Sequence, residues 1–183
     1  MNAAELERSL ERRLGVPVRV AIAATGPAAI AAALLAAGRP PEPVTSWPCP
    51  FVSLSHSGEV ALAVALPPEV RALGLGVDLE HDRPVKPGMA RLICDPHERA
   101  WLATISPERH AAELLRLWTA KEALYKADPA QGEAIVADYA LASPGDLVTT
   151  GGRVGAARHA TLTSLRRSGA VISVALSLDG EPT

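Results

Sequence analysis

The chain has 183 residues, a formal charge of −2, 48% hydrophobic residues and only 3% aromatic ones. That length allows one domain with a real core, or two small halves packed together, held mainly by small aliphatic contacts. A near-neutral charge gives no electrostatic footprint for nucleic acid, and Cys49 and Cys94, the only cysteines, lack metal or disulfide spacing and point to a reduced cytoplasmic compartment.

In chain order, Glu5–Leu14 reads as an amphipathic helix ended by Gly15. The stretch Val20–Gly38 is uncharged, but it is mostly alanine and is broken at Gly26-Pro27, and acidic Glu5, Glu7 and Glu11 precede it. A strand (Val16–Ala24), a turn and a helix (Pro27–Ala37) are therefore expected, with neither a membrane span nor a signal peptide. Gly38–Pro50, rich in proline, reads as an extended connector. Phe51–Ser55 and Glu59–Leu66 read as a hairpin turning at His56-Ser57-Gly58, and Leu73–Glu80 as the next strand. Asp95, Pro96 and Glu98 predict a capped helix running through Trp101 and Ala103. Glu108–Ala127 predicts a long helix stopped by Asp128-Pro129. A turn at Gly151-Gly152 and strands Ala156–Leu165 and Ala170–Leu178 complete the chain.

Two segments carry chemistry. In Gly76-Val77-Asp78-Leu79-Glu80 the alternation of a strand puts both carboxylates on one face. In Leu117–Lys126 (Leu-Trp-Thr-Ala-Lys-Glu-Ala-Leu-Tyr-Lys) a helix presents Glu122 with Lys121 before it and Lys126 one turn on. Paired carboxylates repel unless a hard cation lies between them, and Mg²⁺ takes one or two protein carboxylates plus water and phosphate oxygens. Asp78, Glu80 and Glu122 are thus candidate metal residues, with the lysines facing phosphates. The competing reading is a solvated Glu122–Lys126 pair, worth about 0.2–0.5 kcal/mol to a helix.

These two segments, with Phe51-Val52-Ser53-Leu54-Ser55-His56-Ser57-Gly58 before them and Cys94-Asp95-Pro96-His97-Glu98-Arg99 between them, resemble the motifs of the 4′-phosphopantetheinyl transferases. The likeness spans about residues 47 to 128 and is closest to the monomeric surfactin/enterobactin-type enzymes of nonribosomal peptide, siderophore and polyketide pathways. It implies an α+β fold of two pseudo-repeated α/β halves with the active site at their junction, here 1–72 and 73–183 in one compact unit. An internal echo agrees with duplication: Ser53–Val60 aligns without a gap on Ser164–Val171.

The resemblance further implies transfer of the 4′-phosphopantetheine arm of coenzyme A to a serine of an apo acyl or peptidyl carrier protein, releasing 3′,5′-ADP. Asp78, Glu80 and Glu122 would hold Mg²⁺, with Mn²⁺ as a substitute. Glu122 would act as general base, Lys126 and Lys121 would neutralise the diphosphate, and Ser55 and His56 would bind a phosphate of the nucleotide end. Trp118 is expected in the core, and His97, Glu98 and Arg99 at a solvated helix start. His81-Asp82-Arg83 either supports the metal residues or is plain loop. The chain departs from the family at Gly26–Leu35, which is uncharged where relatives carry lysines and arginines for the coenzyme's 3′-phosphate. Arg39, and more distantly Arg12, Arg13 and Arg19, are the substitutes. Gly132 stands further past Lys126 than the corresponding glycine of relatives. Two other readings stay open: a protein that binds a carrier or the coenzyme without transfer, and a repurposed scaffold with other metal-dependent chemistry.

Overall fold

A computed structural model describes residues 2–86, 88–157 and 159–178. Arg158 of the expected strand Ala156–Leu165, and residues 179–183 of the expected second half, lie outside the described residues.

Helix α1 (Ala3–Leu14) starts where the Asn2 side chain accepts from the Ala4 N–H at 3.0 Å and ends at Gly15, whose φ is 72°. Leu6, Leu10 and Leu14, four residues apart, form its buried stripe. Strand β1 (Arg19–Ala23) and helix α2 (Gly26–Ala36) follow. The proline connector then leads to a hairpin of β2 (Val52–Ser57) and β3 (Val60–Ala65). Strand β4 (Ala72–His81), short helix α3 (Met89–Ile93), α4 (Pro96–Leu102) and the long α5 (Pro107–Ala127) come next. The chain closes with β5 (Tyr139–Leu141), β6 (Val148–Arg153), β7 (Ala160–Arg167) and β8 (Ala170–Leu178).

The strands make two antiparallel sheets, one ordered β1-β3-β2 and one ordered β4-β8-β7-β6-β5. Alternation along β3 explains how they are joined. Ala61, Ala63 and Ala65 face α2, packing on Ala29, Ala33 and Leu34, while Leu62 and Val64 face the opposite way. That second face enters a core shared with Leu6 and Leu10 of α1 and with Val77, Leu79, Ile172 and Val174 of the larger sheet. Helix α5 covers the other face of that sheet, with Leu117, Ala120, Ala123 and Leu124 over Leu162 and Ala175. Among the described residues no helix is long and apolar enough to cross a membrane.

The mixed α+β class agrees with expectation. The two echoed segments both fold as hairpins, but their turns differ by one position. One turns at Gly58-Glu59 with φ 59° at Gly58; the other turns at Ser168-Gly169 with φ 48° and 72°. Gly151 and Gly152, expected as a turn, lie inside β6. A Cβ on Gly151 would come 2.7 Å from the Leu124 side chain and 2.8 Å from the Ala140 carbonyl, so a crowded strand, not a turn, explains the glycine. The first expected strand is also shorter, beginning at Arg19.

Candidate active site

Glycines on β4 set the distance between strand and helix. A Cβ on Gly74 would stand 1.7 Å from the carbonyl oxygen of Ala127, and one on Gly76 would stand 1.9 Å from that of Ala123. Without side chains there, the α5 backbone lies directly on β4. The next residues on the same face are Asp78 and Glu80, while Leu75, Val77 and Leu79 alternate into the shared core. Glu122 and Lys126, one helical turn apart, come down over those carboxylates.

The outer edge of β4 is closed by side chains. Ser53, Ser55 and Ser57 of β2 accept from the N–H groups of Val77, Leu79 and His81 at 3.0, 3.1 and 3.1 Å. Lys126 Nζ donates to the Val77 carbonyl at 3.1 Å and to Asp78 Oδ1 at 2.8 Å. Asp78 Oδ1 also accepts from Ser55 Oγ at 2.9 Å, whereas Asp78 Oδ2 is buried without a partner. Arg83 forks across Glu80 at 3.0 and 3.2 Å, which gives the loop residue a place beside the acidic face.

Electrostatics bind these groups into one unit. Burial raises the Asp78 carboxyl above its ordinary value, with Lys126 and Ser55 opposing that rise. Burial also raises Glu122, and the negative charge of Asp78 adds to it, followed by that of Glu80. Asp78 and Glu122 therefore both feel the charge of Glu80, as expected for oxygens that lie close together. Among the described residues no three Asp, Glu, His or Cys side chains stand together as a ready-made metal cage. Lys126 and Arg83 instead supply the positive charge. The donor set still suits Mg²⁺, which needs few protein oxygens and takes phosphate and water for the rest. Asp78 Oδ2 is a buried oxygen with no hydrogen-bond partner that would have to be given up to such a cation.

Three expectations for phosphate-binding residues are corrected. Lys121 is fully buried on another side of α5, paired with Glu98 Oε2 at 2.6 Å and donating to the Ile93 carbonyl. Consecutive helical residues point about 100° apart, so Lys121 cannot share a face with Glu122 and Lys126. Ser55 has one hydroxyl hydrogen, and it is spent on Asp78, leaving no donor for a phosphate. Arg39 donates to the carbonyls of Leu66 and Pro67 at 2.6 and 3.2 Å and stacks 4.5 Å over Phe51. It pins the connector at the start of β2, five residues of strand or roughly 16 Å from His56.

His56 is exposed and lies on the first turn of α2, where a Cβ on Gly26 would be 2.7 Å from His56 Nε2. Helix α2 has no charge of its own, no acidic residue in its first turn and no side-chain cap from Thr25. What it brings to His56 is an N-terminus, whose N–H groups carry partial positive charge.

Glu98 was expected at a solvated helix start, and it is wholly buried. Its capping box with Asp95 is present, yet it also accepts from Lys121 and from the Leu141 N–H at 3.1 Å. Trp118 packs against the α5 core, as expected. Burial, helped by Glu98, pushes the Cys94 thiol up to about 11, so it stays protonated and is no nucleophile.

A cavity of about 380 Å³ opens beside Lys126, lined by Trp47, Pro48, Ser53, Leu54, Tyr125 and Gln131. Another, of about 270 Å³, lies near the C-terminal end of α5 around Asp128, Tyr139 and Arg153, and includes none of the acidic residues of β4.

Residues 74–175 match the profile of the 4′-phosphopantetheinyl transferase superfamily. The chain is also 35% identical over 136 residues to the 4′-phosphopantetheinyl transferase Svp of Streptomyces mobaraensis. That alignment covers 69% of this chain and 52% of the Streptomyces protein, so the chain spans about half the length of the relative it matches.

Proposed function

We propose that this chain, which belongs to the 4′-phosphopantetheinyl transferase superfamily, moves the phosphopantetheine arm of coenzyme A onto a serine hydroxyl of an apo acyl or peptidyl carrier protein. The observation that carries this reading is the face where burial raises the Asp78 and Glu122 carboxyls and the charge of Glu80 adds to both, beside Lys126, with Asp78 Oδ2 unpartnered. Such a face is unfavourable by itself and suits a divalent cation with a diphosphate.

Asp78 and Glu80, with Glu122, would hold Mg²⁺, which when bound neutralises charge on the diphosphate. Glu122 accepts the proton of the carrier serine as its oxygen attacks the β-phosphorus, and the bond to the leaving 3′,5′-ADP breaks. Burial raises the basicity of the metal-free Glu122, and in the complex it needs only to accept a proton as the serine oxygen attacks. Lys126 has three N–H donors; two go to Asp78 and Val77, and the third is directed to a diphosphate oxygen. His56 and the α2 N-terminus bind a phosphate of the nucleotide end. The cavity beside Lys126 takes the flexible arm, with Leu54, Tyr125 and Trp47 as its apolar wall.

In this reading residues 1–72 and 73–183 are two halves meeting at the site, and the enzyme is a cytoplasmic monomer serving secondary-metabolite assembly lines. The test is chromatographic detection of 3′,5′-ADP from coenzyme A, with and without apo carrier proteins and Mg²⁺. Release that needs both supports transfer. No release from carriers that another transferase modifies would refute it, and a retained coenzyme would then mark a binding protein.

A further inference from the structure

We infer that Ser55 is a positioning residue, one that sets the Asp78 carboxylate so that a single oxygen is presented to a divalent cation; the inference rests on the metal reading of the site.

β2 and β4 are edge strands of different sheets. They run in the same direction at a constant offset, pairing Ser53 with Val77, Ser55 with Leu79 and Ser57 with His81. In each rung a serine hydroxyl replaces the backbone carbonyl that a continuous sheet would supply. Every second residue of β2 must then be a short hydroxyl side chain, because a longer one would push the two sheets apart. All three serines accept a β4 N–H, but they differ in where the hydroxyl hydrogen can go. Ser57 meets the His81 ring at 2.9 Å, whereas Ser55 donates to Asp78 Oδ1 at 2.9 Å. Among the described residues Ser53 makes no bond to a carboxylate.

The effect on Asp78 is directional. Oδ1 takes both donors, from Ser55 and from Lys126, and Oδ2 is left buried with none. With Ser55 gone, Lys126 is the remaining anchor. Its long side chain is flexible, so either carboxylate oxygen can turn to it and the lone presented oxygen is lost.

The test is the affinity for Mn²⁺ in the absence of coenzyme A, read by electron paramagnetic resonance. Ser53→Ala and Ser55→Ala each delete one rung and should both lose thermal stability, Ser55→Ala the more because it also deletes the bond to Asp78. Only Ser55→Ala should also weaken Mn²⁺ binding, by about tenfold, the scale of one hydrogen bond to a charged group. Ser55→Cys keeps the size but donates weakly, and it should fold and weaken Mn²⁺ in the same direction. Equal Mn²⁺ affinities for Ser53→Ala, Ser55→Cys and the unchanged protein would overturn the positioning role. Mn²⁺ binding that survives Asp78→Ala would instead overturn the metal reading, and this inference with it.

Discussion

Replacing Lys121 by Met separates a structural lysine from a phosphate-binding one. The Lys121–Glu98 pair is 0% exposed on both sides, at 2.6 Å. Removing the lysine leaves Glu98 buried with only the N–H groups of Asp95 and Leu141 as donors. Breaking a buried pair from one side costs about 3–5 kcal/mol. At about 2–4 °C per kcal/mol for a chain of this size, melting should fall by roughly 6–20 °C. Lys121→Met/Glu98→Gln should recover part of that loss, since no buried charge remains unpaired. Calorimetry gives the melting points, and titration of the folded variants gives their coenzyme A affinity, which should be unchanged. A Lys121→Met protein that melts within about 2 °C of the parent and binds coenzyme A poorly would refute this account.

Further outcomes follow from the same geometry. Glu122→Gln should lower kcat by about 10²–10⁴-fold, the usual contribution of a general base. In the metal-free protein, Glu122 should take up its proton above the ordinary carboxylate range, so the acid limb of its titration, followed by NMR, should lie there. An acid limb at the ordinary value would contradict the assignment. A carboxylate whose folded value is raised costs stability above that value, and the cost lifts as pH falls through it. Metal-free Glu122→Gln should therefore melt higher than its parent at neutral pH, and a lower melting point would count against the crowding of Glu122 by Asp78. Gly76→Ala puts a Cβ 1.9 Å from the Ala123 carbonyl oxygen. It must lift α5 off β4, costing about 3 kcal/mol or more, and weaken Mn²⁺ binding as Glu122 withdraws. Unchanged melting would show that the helix does not rest on that glycine.

Much of this was legible in the chain because local rules and tertiary structure agree there. Alternation put Asp78 and Glu80 on one face, and the helix boundary at Asp128 was written by Pro129. The Asp95–Glu98 capping box formed as its spacing requires. What escaped depends on contacts between distant segments. The Glu98 capping oxygen also receives Lys121, from a helix more than twenty residues away, so a surface cap became a buried charge. A helical wheel would have shown Lys121 off the Glu122–Lys126 face, but not what it meets. Ser53, Ser55 and Ser57 stand at strand period two, and that signal was present. Their role appears only when β4 is found with its N–H groups turned to the same edge. Gly151-Gly152 reads locally as a turn because nothing nearby reveals that Leu124 presses on it. Strands β5 and β6 were missed for a related reason, being short or glycine-bearing and held by neighbours.

The central claim, that the acidic face of β4 and α5 serves phosphopantetheine transfer, is tested most directly by the intact mass of apo carrier proteins. They would be incubated with this protein, Mg²⁺ and coenzyme A, beside an Asp78→Ala control. A mass gain of one phosphopantetheine that disappears in the control is the predicted result. No gain on carriers that a known transferase modifies in parallel, or an equal gain with Asp78→Ala, would contradict it.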